Sequence, residues 1–323
     1  MSNLVKQIEK DYKESVRTDY SLTSNYDVVP SGSLAFDIMT GIGGWPLGRL
    51  CILSGVESSG KTLMSLKAIA QAQKLGHRAA FLDLEHTFDE KRAIQLGVDV
   101  NELDYFQIKD LETGGDILHR IVSSGEYGIT VFDSVNGASV KPIEEGSMED
   151  RAIGYKAKIM SNIMMKCCGT ASFNKTLMLF IAQWRESLDP YKPVVLPGGK
   201  AFAHASSLTT ILRSKKDKEN DNSLVIHAKV HKNKMAPPFK ECEFIVNYNG
   251  QIDEESEIID ILTSKENRAL FDIEQAGAYY TMPEAIFGVG TNRFQGTNNI
   301  VKALKAEPDL LIKSKEFVIS RIK

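Results

Sequence analysis

The apolar positions near the start of the chain repeat with the period of a helix. Residues 3–17 carry an apolar side chain at every fourth position, namely at Leu4, Ile8, Tyr12 and Val16. This spacing predicts a helix with one narrow apolar stripe. A polar stretch, residues 18–27, separates the helix from the rest of the chain. The stripe is therefore expected to pack either on a neighbouring subunit or back on its own domain.

Further along the chain, continuous apolar runs predict strands that are buried on both faces of a parallel sheet. These runs are residues 49–54, 78–84, 129–132 and 176–183. Helical patterns lie between them at residues 62–74, 88–96, 114–123 and 150–172. The β–α alternation predicts an α/β architecture with a mostly parallel twisted sheet and right-handed crossovers.

The regular alternation stops after residue 183. Residues 184–199 contain three prolines and a Gly-Gly pair, which predicts a long irregular loop that could be a lid, a binding loop or a linker. Residues 207–213 and 224–230 are typical of a hairpin. A helical pattern returns at Glu254, and residues 267–323 predict a small α/β unit. The chain then divides into three parts: residues 1–29, 30–262 and 263–323.

The turn after the first predicted strand has the pattern of a phosphate-binding loop. It fits the motif G-x-x-x-x-G-K-[ST] with Gly55, Val56, Glu57, Ser58, Ser59, Gly60, Lys61 and Thr62. A glycine-rich turn at a helix N-terminus exposes successive main-chain N–H groups to phosphate oxygens. Lys61 would add a positive charge toward the β- and γ-phosphates, and the Thr62 hydroxyl would bind Mg²⁺. The loop therefore predicts nucleotide binding, with a chance glycine-rich turn as the alternative.

Polar residues close three of the predicted strands. Asp133 ends an apolar strand, as in a Walker B motif, where the carboxylate holds the Mg²⁺ shell. Glu85 is placed to orient the attacking water, or alternatively to cap the following helix. Gln183 is placed to contact a γ-phosphate. Open α/β sheets place their ligands at the carboxyl ends of the strands, which is where these residues stand.

Composition indicates the class of protein, but the charge does not identify a binding partner. The 323 residues are 42% hydrophobic and 25% charged, as in ordinary globular proteins. No apolar run reaches the roughly 18 residues of a membrane span, and the first residues lack a secretory pattern. The net charge is −3, yet residues 213–240 hold eight Lys and Arg against three Asp and Glu. That surplus fits either a solvated surface or a polyanion partner.

Six segments, in this order, resemble the RecA family of recombinases: residues 32–37, 55–62, 81–86, 131–134, 198–201 and 232–239. The Glu-Ser-Ser filling of the phosphate loop and the Lys-Asn-Lys run are more specific than a bare Walker A motif. The resemblance runs from about residue 30 to the C-terminus and fits both bacterial and phage members. It implies a RecA-like P-loop ATPase core over residues 30–262, an N-terminal helix that docks on the next protomer, and a small α/β C-terminal domain.

The resemblance also implies an activity. It implies a cytoplasmic, DNA-dependent ATPase, in a bacterial cell or a phage-infected host, that uses ATP and Mg²⁺. The protein would form a helical filament on single-stranded DNA, pair it with homologous double-stranded DNA and exchange strands in repair and replication. A single-strand-binding protein and a loader are further expected partners. Association with a membrane is not expected. The alternatives are a RecA-like ring-forming or regulatory ATPase with weak or no DNA binding, and an assembly that binds ATP without turnover.

Residue roles follow from matched positions in the resemblance. The implied catalytic residues are Glu85, Lys61, Gln183, Lys232 and Lys234, the last two acting on the neighbouring protomer's ATP. The implied nucleotide-binding residues are Gly55, Glu57, Ser58, Ser59, Gly60, Lys61, Thr62, Asp89, Arg92 and Asp133, with Thr62 and Asp133 on the metal. The implied DNA-binding residues are Ile153, Lys158, Ser161, Arg185, Gly198, Gly199 and Lys200. Arg92 stands where the family usually places an adenine-stacking Tyr, and the acidic tail typical of bacterial members is absent.

Overall fold

The computed structural model describes residues 3–11, 26–137, 139–140, 148–186, 194–195, 197–218 and 220–322. The strands are β1 (Val28–Val29), β2 (Trp45–Pro46), β3 (Leu50–Gly55), β4 (Arg78–Asp83), β5 (Leu103–Gln107), β6 (Tyr127–Asp133), β7 (Leu177–Gln183), β8 (Arg185–Glu186), β9 (Val194–Val195), β10 (Leu208–Lys216), β11 (Ser223–Asn233), β12 (Glu241–Asn247), β13 (Glu274–Ala276), β14 (Tyr279–Thr281) and β15 (Arg293–Gln295). The helices are α1 (Asn3–Asp11), α2 (Leu34–Thr40), α3 (Lys61–Lys74), α4 (Glu90–Gln95), α5 (Leu111–Ser124), α6 (Met148–Asn174), α7 (Gly199–Ala205), α8 (Glu254–Thr263), α9 (Glu284–Phe287), α10 (Thr297–Ala306) and α11 (Pro308–Ile322), with a 3-10 turn at Val100–Glu102.

An eight-stranded sheet forms the centre, in the order β12-β11-β10-β3-β7-β6-β4-β5. The six strands from β10 to β5 pair in parallel, whereas β11 pairs antiparallel with both β10 and β12. The predicted α/β class with a mostly parallel sheet is therefore confirmed, as is the predicted hairpin, formed by β10 and β11.

The central strands are buried on both faces, which explains their continuous apolar runs. In β3, Cys51 and Leu53 join the apolar cluster on one side of the sheet, while Leu50 and Ile52 join the cluster on the other. Side chains alternate across a strand, so each face needs its own apolar residues. Helix α3 covers the first face, and helices α5 and α6 cover the second.

Two regions depart from the sequence expectations. The sequence pattern did not predict β5, because it lies at the sheet edge and, after the buried Leu103, holds only half-buried and exposed residues instead of an apolar run. The expectation of an irregular stretch over residues 184–199 is wrong in part, because β8 pairs antiparallel with β9 and α7 begins at Gly199. Residues 12–17 of the first predicted helix lie outside the described residues.

Helix α8 and the elements after it share a third apolar cluster, which includes Ile258, Phe271 and Val318. Helix α2 packs Leu34 and Ile38 against that cluster. The Glu257 carboxylate of α8 also accepts hydrogen bonds from the first turn of α2, from Leu34 N at 3.1 Å, Ala35 N at 3.2 Å and Ser33 Oγ. The boundary at residues 262 and 263 stays a prediction.

None of the helices in the described part of the chain has the length and apolar character needed to cross a bilayer.

Candidate nucleotide site and DNA interface

The carboxyl ends of four adjacent strands bring the predicted site residues to one edge of the sheet. In the ladder between β3 and β7, Gly55 stands opposite Gln183. In the ladder between β4 and β6, Asp83 stands opposite Asp133. The register of the parallel strands therefore places site residues that are far apart in sequence next to each other.

The phosphate loop requires glycine at its two ends. Gly60 has φ 91°, and a Cβ there would lie 2.7 Å from Ile226 Cδ1. A Cβ on Gly55 would lie 2.7 Å from the Leu212 carbonyl oxygen and overlap Ser59 Oγ. No side chain among the described residues caps the N-terminus of α3. The first-turn N–H groups of that helix are therefore left for an anion.

Lys61, Thr62 and Asp133 lie together at the mouth of this loop. Lys61 Nζ donates to the Val56 carbonyl oxygen at 2.6 Å, and Thr62 Oγ1 donates to Asp133 Oδ2 at 3.1 Å. Burial, reinforced by the charge of Glu85, raises the pKa of Asp133 to about 7. Burial lowers the pKa of Lys61, while the Asp133 and Glu85 charges oppose that shift.

These groups fit Mg²⁺ and a phosphate chain. A hydroxyl oxygen and a carboxylate oxygen in contact are the hard donors that Mg²⁺ prefers. Thr62 and Asp133 are therefore the side chains that would hold the ion. A cation there would also lower the cost of ionising the buried carboxyl.

Glu85 follows β4, and its side chain contacts the turn after β6. Ser134 Oγ donates to Glu85 Oε1, and Gly137 N donates to Ser134 Oγ at 3.1 Å. A Cβ on Gly137 would overlap Glu85 Cγ. Helix α4 begins after Asp89, whose carboxylate accepts the Arg92 N–H at 3.1 Å. The alternative of Glu85 as the cap of that helix is therefore wrong.

Asp83 is a site residue that the sequence analysis missed. Its buried carboxylate accepts main-chain N–H bonds from Glu85 at 3.1 Å, His86 at 2.8 Å and Phe88 at 3.1 Å. The Tyr105 hydroxyl donates to the same carboxylate at 3.0 Å. Asp83 thus fixes the turn that carries Glu85. An acid at the end of an apolar strand was the available signal.

Gln183 is held by a second residue that the sequence analysis missed, Asn136. The Gln183 N–H donates to Asn136 Oδ1 at 2.7 Å, and Asn136 Nδ2 donates to the Gln183 carbonyl oxygen at 3.1 Å. The Asn136 carbonyl oxygen in turn accepts a bond from Lys156 Nζ of α6 at 3.1 Å. Because 47 residues separate Asn136 from Gln183, no local sequence pattern could show this contact.

The remaining predicted nucleotide residues lie around the loop and at α4. Glu57 and Ser58 are exposed in the phosphate loop, and Ser59 is buried there. Asp89 caps α4 and is exposed to solvent. Arg92 Nη1 donates to the Tyr248 carbonyl oxygen at 2.6 Å, so the guanidinium is tied to the turn after β12.

Lys232 and Lys234 do not reach the phosphate loop of their own protomer. Strand β11 runs antiparallel, so Asn233 pairs with Leu208, which is level with Cys51 at the start of β3. Gly55 lies four positions further on, about 13 Å along the strand. The two lysines instead donate to carbonyl oxygens at the C-terminus of α7, Lys232 to Ala203 at 2.7 Å and Lys234 to His204 at 3.0 Å.

Most of the predicted DNA-binding residues fall on α6 and at the start of α7. Lys158 and Lys200 are exposed, and Ser161 is half-buried. The two helices touch where a Cβ on Gly199 would lie 2.9 Å from Ala157 Cβ. Gly198 and Gly199 have φ values of 86° and 80°, which glycine adopts readily. Ile153 and Arg185 belong to α6 and β8, and their side chains lie outside the described part of the structure.

Comparison with known proteins gives consistent matches over nearly the whole chain. The family model of the RecA N-terminal domain matches residues 1–253. The RecA protein of Enterococcus hirae is 34% identical over 314 residues, which cover 95% of this chain and 88% of the relative. The RecA protein of Bacillus subtilis is 36% identical over 319 residues, covering 97% and 88%. The RecA protein of Caldanaerobacter subterraneus is 35% identical over 313 residues, covering 95% and 88%.

Proposed function

The chain belongs to the RecA family of recombinases, and we propose that it is an ATPase whose turnover is stimulated by single-stranded DNA. On that strand it would assemble as a helical filament with ATP between protomers, pair with a homologous duplex and exchange strands in DNA recombination and repair. The relatives do not favour the alternative of a ring-forming or regulatory ATPase.

The observation that carries the ATPase proposal is the contact between Thr62 and Asp133 at the mouth of an uncapped helix. Main-chain N–H groups of the loop and the Lys61 ammonium would bind the phosphates. Mg²⁺, held by Thr62 and Asp133, would neutralise charge that develops on the phosphates during transfer. Glu85, fixed by Ser134 and by the turn that Asp83 organises, would orient the attacking water.

A neighbouring protomer would complete the site. Lys232 and Lys234 lie at the other end of the sheet from Lys61, so the nucleotide that they would serve belongs to another protomer. Positive charges supplied across an interface stabilise transition-state charge and make hydrolysis depend on assembly. The position of the lysines supports the filament proposal for that reason.

DNA would lie along α6 and the start of α7. Lys158 and Lys200 supply exposed positive charge, and the Gly198-Gly199 main chain can approach phosphates closely without reading bases. Such a surface would bind DNA without preference for its base sequence. Its affinity should fall with salt, with log affinity linear in log salt concentration.

The experiment that tests the proposed function measures ATP hydrolysis with and without single-stranded DNA. We expect DNA to raise wild-type turnover at least about tenfold, and Lys61→Ala to abolish turnover in both conditions. Lys74→Ala, at the exposed far end of the same helix, is the matched control and should behave as wild type. Turnover that ignores DNA would contradict the proposal while leaving the fold unchanged.

A further inference from the structure

The ladder between β6 and β7 ends before β7 does. Its pairs run from Ile129 with Leu177 to Phe132 with Phe180, while β7 continues to Gln183. Main-chain groups at the end of an interior strand need partners, since leaving them unpaired is costly. At Gln183, the side chain of Asn136 supplies both partners. The Asn136 side-chain amide therefore makes the hydrogen bonds to Gln183 that a longer β6 would otherwise make.

The segment that carries Asn136, residues 133–137, is here called the β6 turn. Three of its residues contact the ATPase site. Asp133 accepts the Thr62 hydroxyl bond, Ser134 donates to Glu85, and Gly137 packs against Glu85 Cγ. A shift of the β6 turn would therefore move the groups around Glu85.

Asn136 joins the β6 turn to both predicted DNA-binding segments. Its side chain holds Gln183, the last residue of β7 before the chain enters β8. Its carbonyl oxygen accepts from Lys156 of α6, the helix that also carries Lys158. A displacement of either segment by DNA therefore has a hydrogen-bonded route through Asn136 to the turn that contacts Glu85, beside the main-chain bond from the Val135 N–H to the Ile181 carbonyl oxygen at 3.1 Å.

We propose that Asn136 is a positioning residue that couples DNA binding to ATP hydrolysis by fixing the Gln183 main chain relative to Glu85. The inference rests on the proposed function, since it concerns how the same site is regulated. Asn136 would contact neither ATP nor DNA. Its loss should therefore reduce the stimulation by DNA and leave the binding of either ligand unchanged.

Asn136→Ala removes both hydrogen bonds to Gln183. We expect the ratio of turnover with DNA to turnover without DNA to fall at least about fivefold, with KM for ATP and the affinity for DNA within about twofold of wild type. Asn136→Asp keeps the shape and the acceptor but cannot donate to the Gln183 carbonyl oxygen. It should therefore lose stimulation too, whereas a space-filling role for Asn136 predicts wild-type stimulation for Asp.

Asn174→Ala is the matched control for a general loss of stability. Asn174 Nδ2 donates to the Val122 carbonyl oxygen at 2.7 Å, so the same kind of bond is deleted at the end of α6, away from the β6 turn. We expect Asn174→Ala to keep the wild-type stimulation by DNA, with a melting temperature similar to that of Asn136→Ala. DNA affinity is measured by fluorescence anisotropy on labelled single strands, and folding by thermal melts.

The outcomes separate this inference from the proposed function. If DNA stimulates the wild type and Asn136→Ala equally, the inference is wrong and the proposed function stands. The inference is also wrong if Asn174→Ala loses stimulation to the same extent, because stability alone then explains the effect. A wild type that ignores DNA overturns both.

Discussion

Asp83 gives the sharpest test of how the site is held, because one buried carboxylate organises the whole turn that carries Glu85. Asp83 is 1% exposed, and its carboxylate accepts main-chain bonds from Glu85, His86 and Phe88 and a hydroxyl bond from Tyr105. Asp83→Ala deletes every one of these acceptors without changing any residue expected to touch ATP.

The magnitude is worked from these four bonds, which are 3.1 Å or shorter; a fifth donor, the Thr87 N–H, lies 3.4 Å from Oδ1 and adds little. A broken bond to a buried carboxylate costs about 1.5–3 kcal/mol, but His86 is exposed and Glu85 half-buried, so water can replace part of the loss. About 1 kcal/mol for each bond gives about 4 kcal/mol, or a fall in melting temperature of about 8–12 °C at 2–3 °C per kcal/mol. Asp83→Asn keeps one acceptor oxygen and should lose about half as much.

Thermal melts followed by circular dichroism measure the stability, and steady-state kinetics measure the activity at a temperature where both variants are folded. We expect kcat to fall at least about tenfold in Asp83→Ala because Glu85 loses its fixed position, with KM for ATP within about threefold of wild type. Tyr105→Phe removes only one bond and should cost less than about 1 kcal/mol. Melting temperatures of the two Asp83 variants within 2 °C (about 1 kcal/mol) of wild type would refute this account.

Two further variants test neighbouring features. Burial raises the pKa of Asp37 to about 8, so the stability linked to its protonated form is lost as the pH rises from about 4 to 8. Asp37→Asn cannot titrate and should melt several degrees above wild type at pH 8 but level with it near pH 4; equal melting at pH 8 contradicts the burial argument. Gly137→Ala places a methyl group against Glu85, so kcat should fall at least about tenfold in a steady-state assay. Gly169→Ala, where a Cβ meets nothing within 4 Å, should keep full activity, and equal kcat for both alanine variants would argue against the contact.

Local patterns were sufficient for the phosphate loop and for the strands that end in site residues. The motif from Gly55 to Thr62 is contiguous, and the apolar runs before Asp133 and Gln183 follow directly from burial on both faces of the sheet. The edge strand β5 was missed because Leu103 is its only buried residue, so it has no continuous apolar run. Sequence patterns are thus most informative where the local chain decides the structure.

The contacts that hold the site depend on the tertiary fold instead. Asn136 meets Gln183 across 47 residues, and Glu257 meets Ser33 across 224. Both are polar side chains that bond to distant groups, so their neighbours in sequence show no period that would reveal them. The place of Lys232 at the far end of the sheet follows from the antiparallel course of β11, which the predicted hairpin implied.

The contact between Glu257 and helix α2 has a mechanical consequence. One carboxylate of α8 accepts bonds from three donors at the start of α2, and Leu34 and Ile38 pack the same helix against the third apolar cluster. Helix α2 leads through β2 into β3, the strand that ends in the phosphate loop. A displacement of α8 and the elements after it would therefore move α2 with them. Because α2 leads into β3, the displacement would act on the phosphate loop.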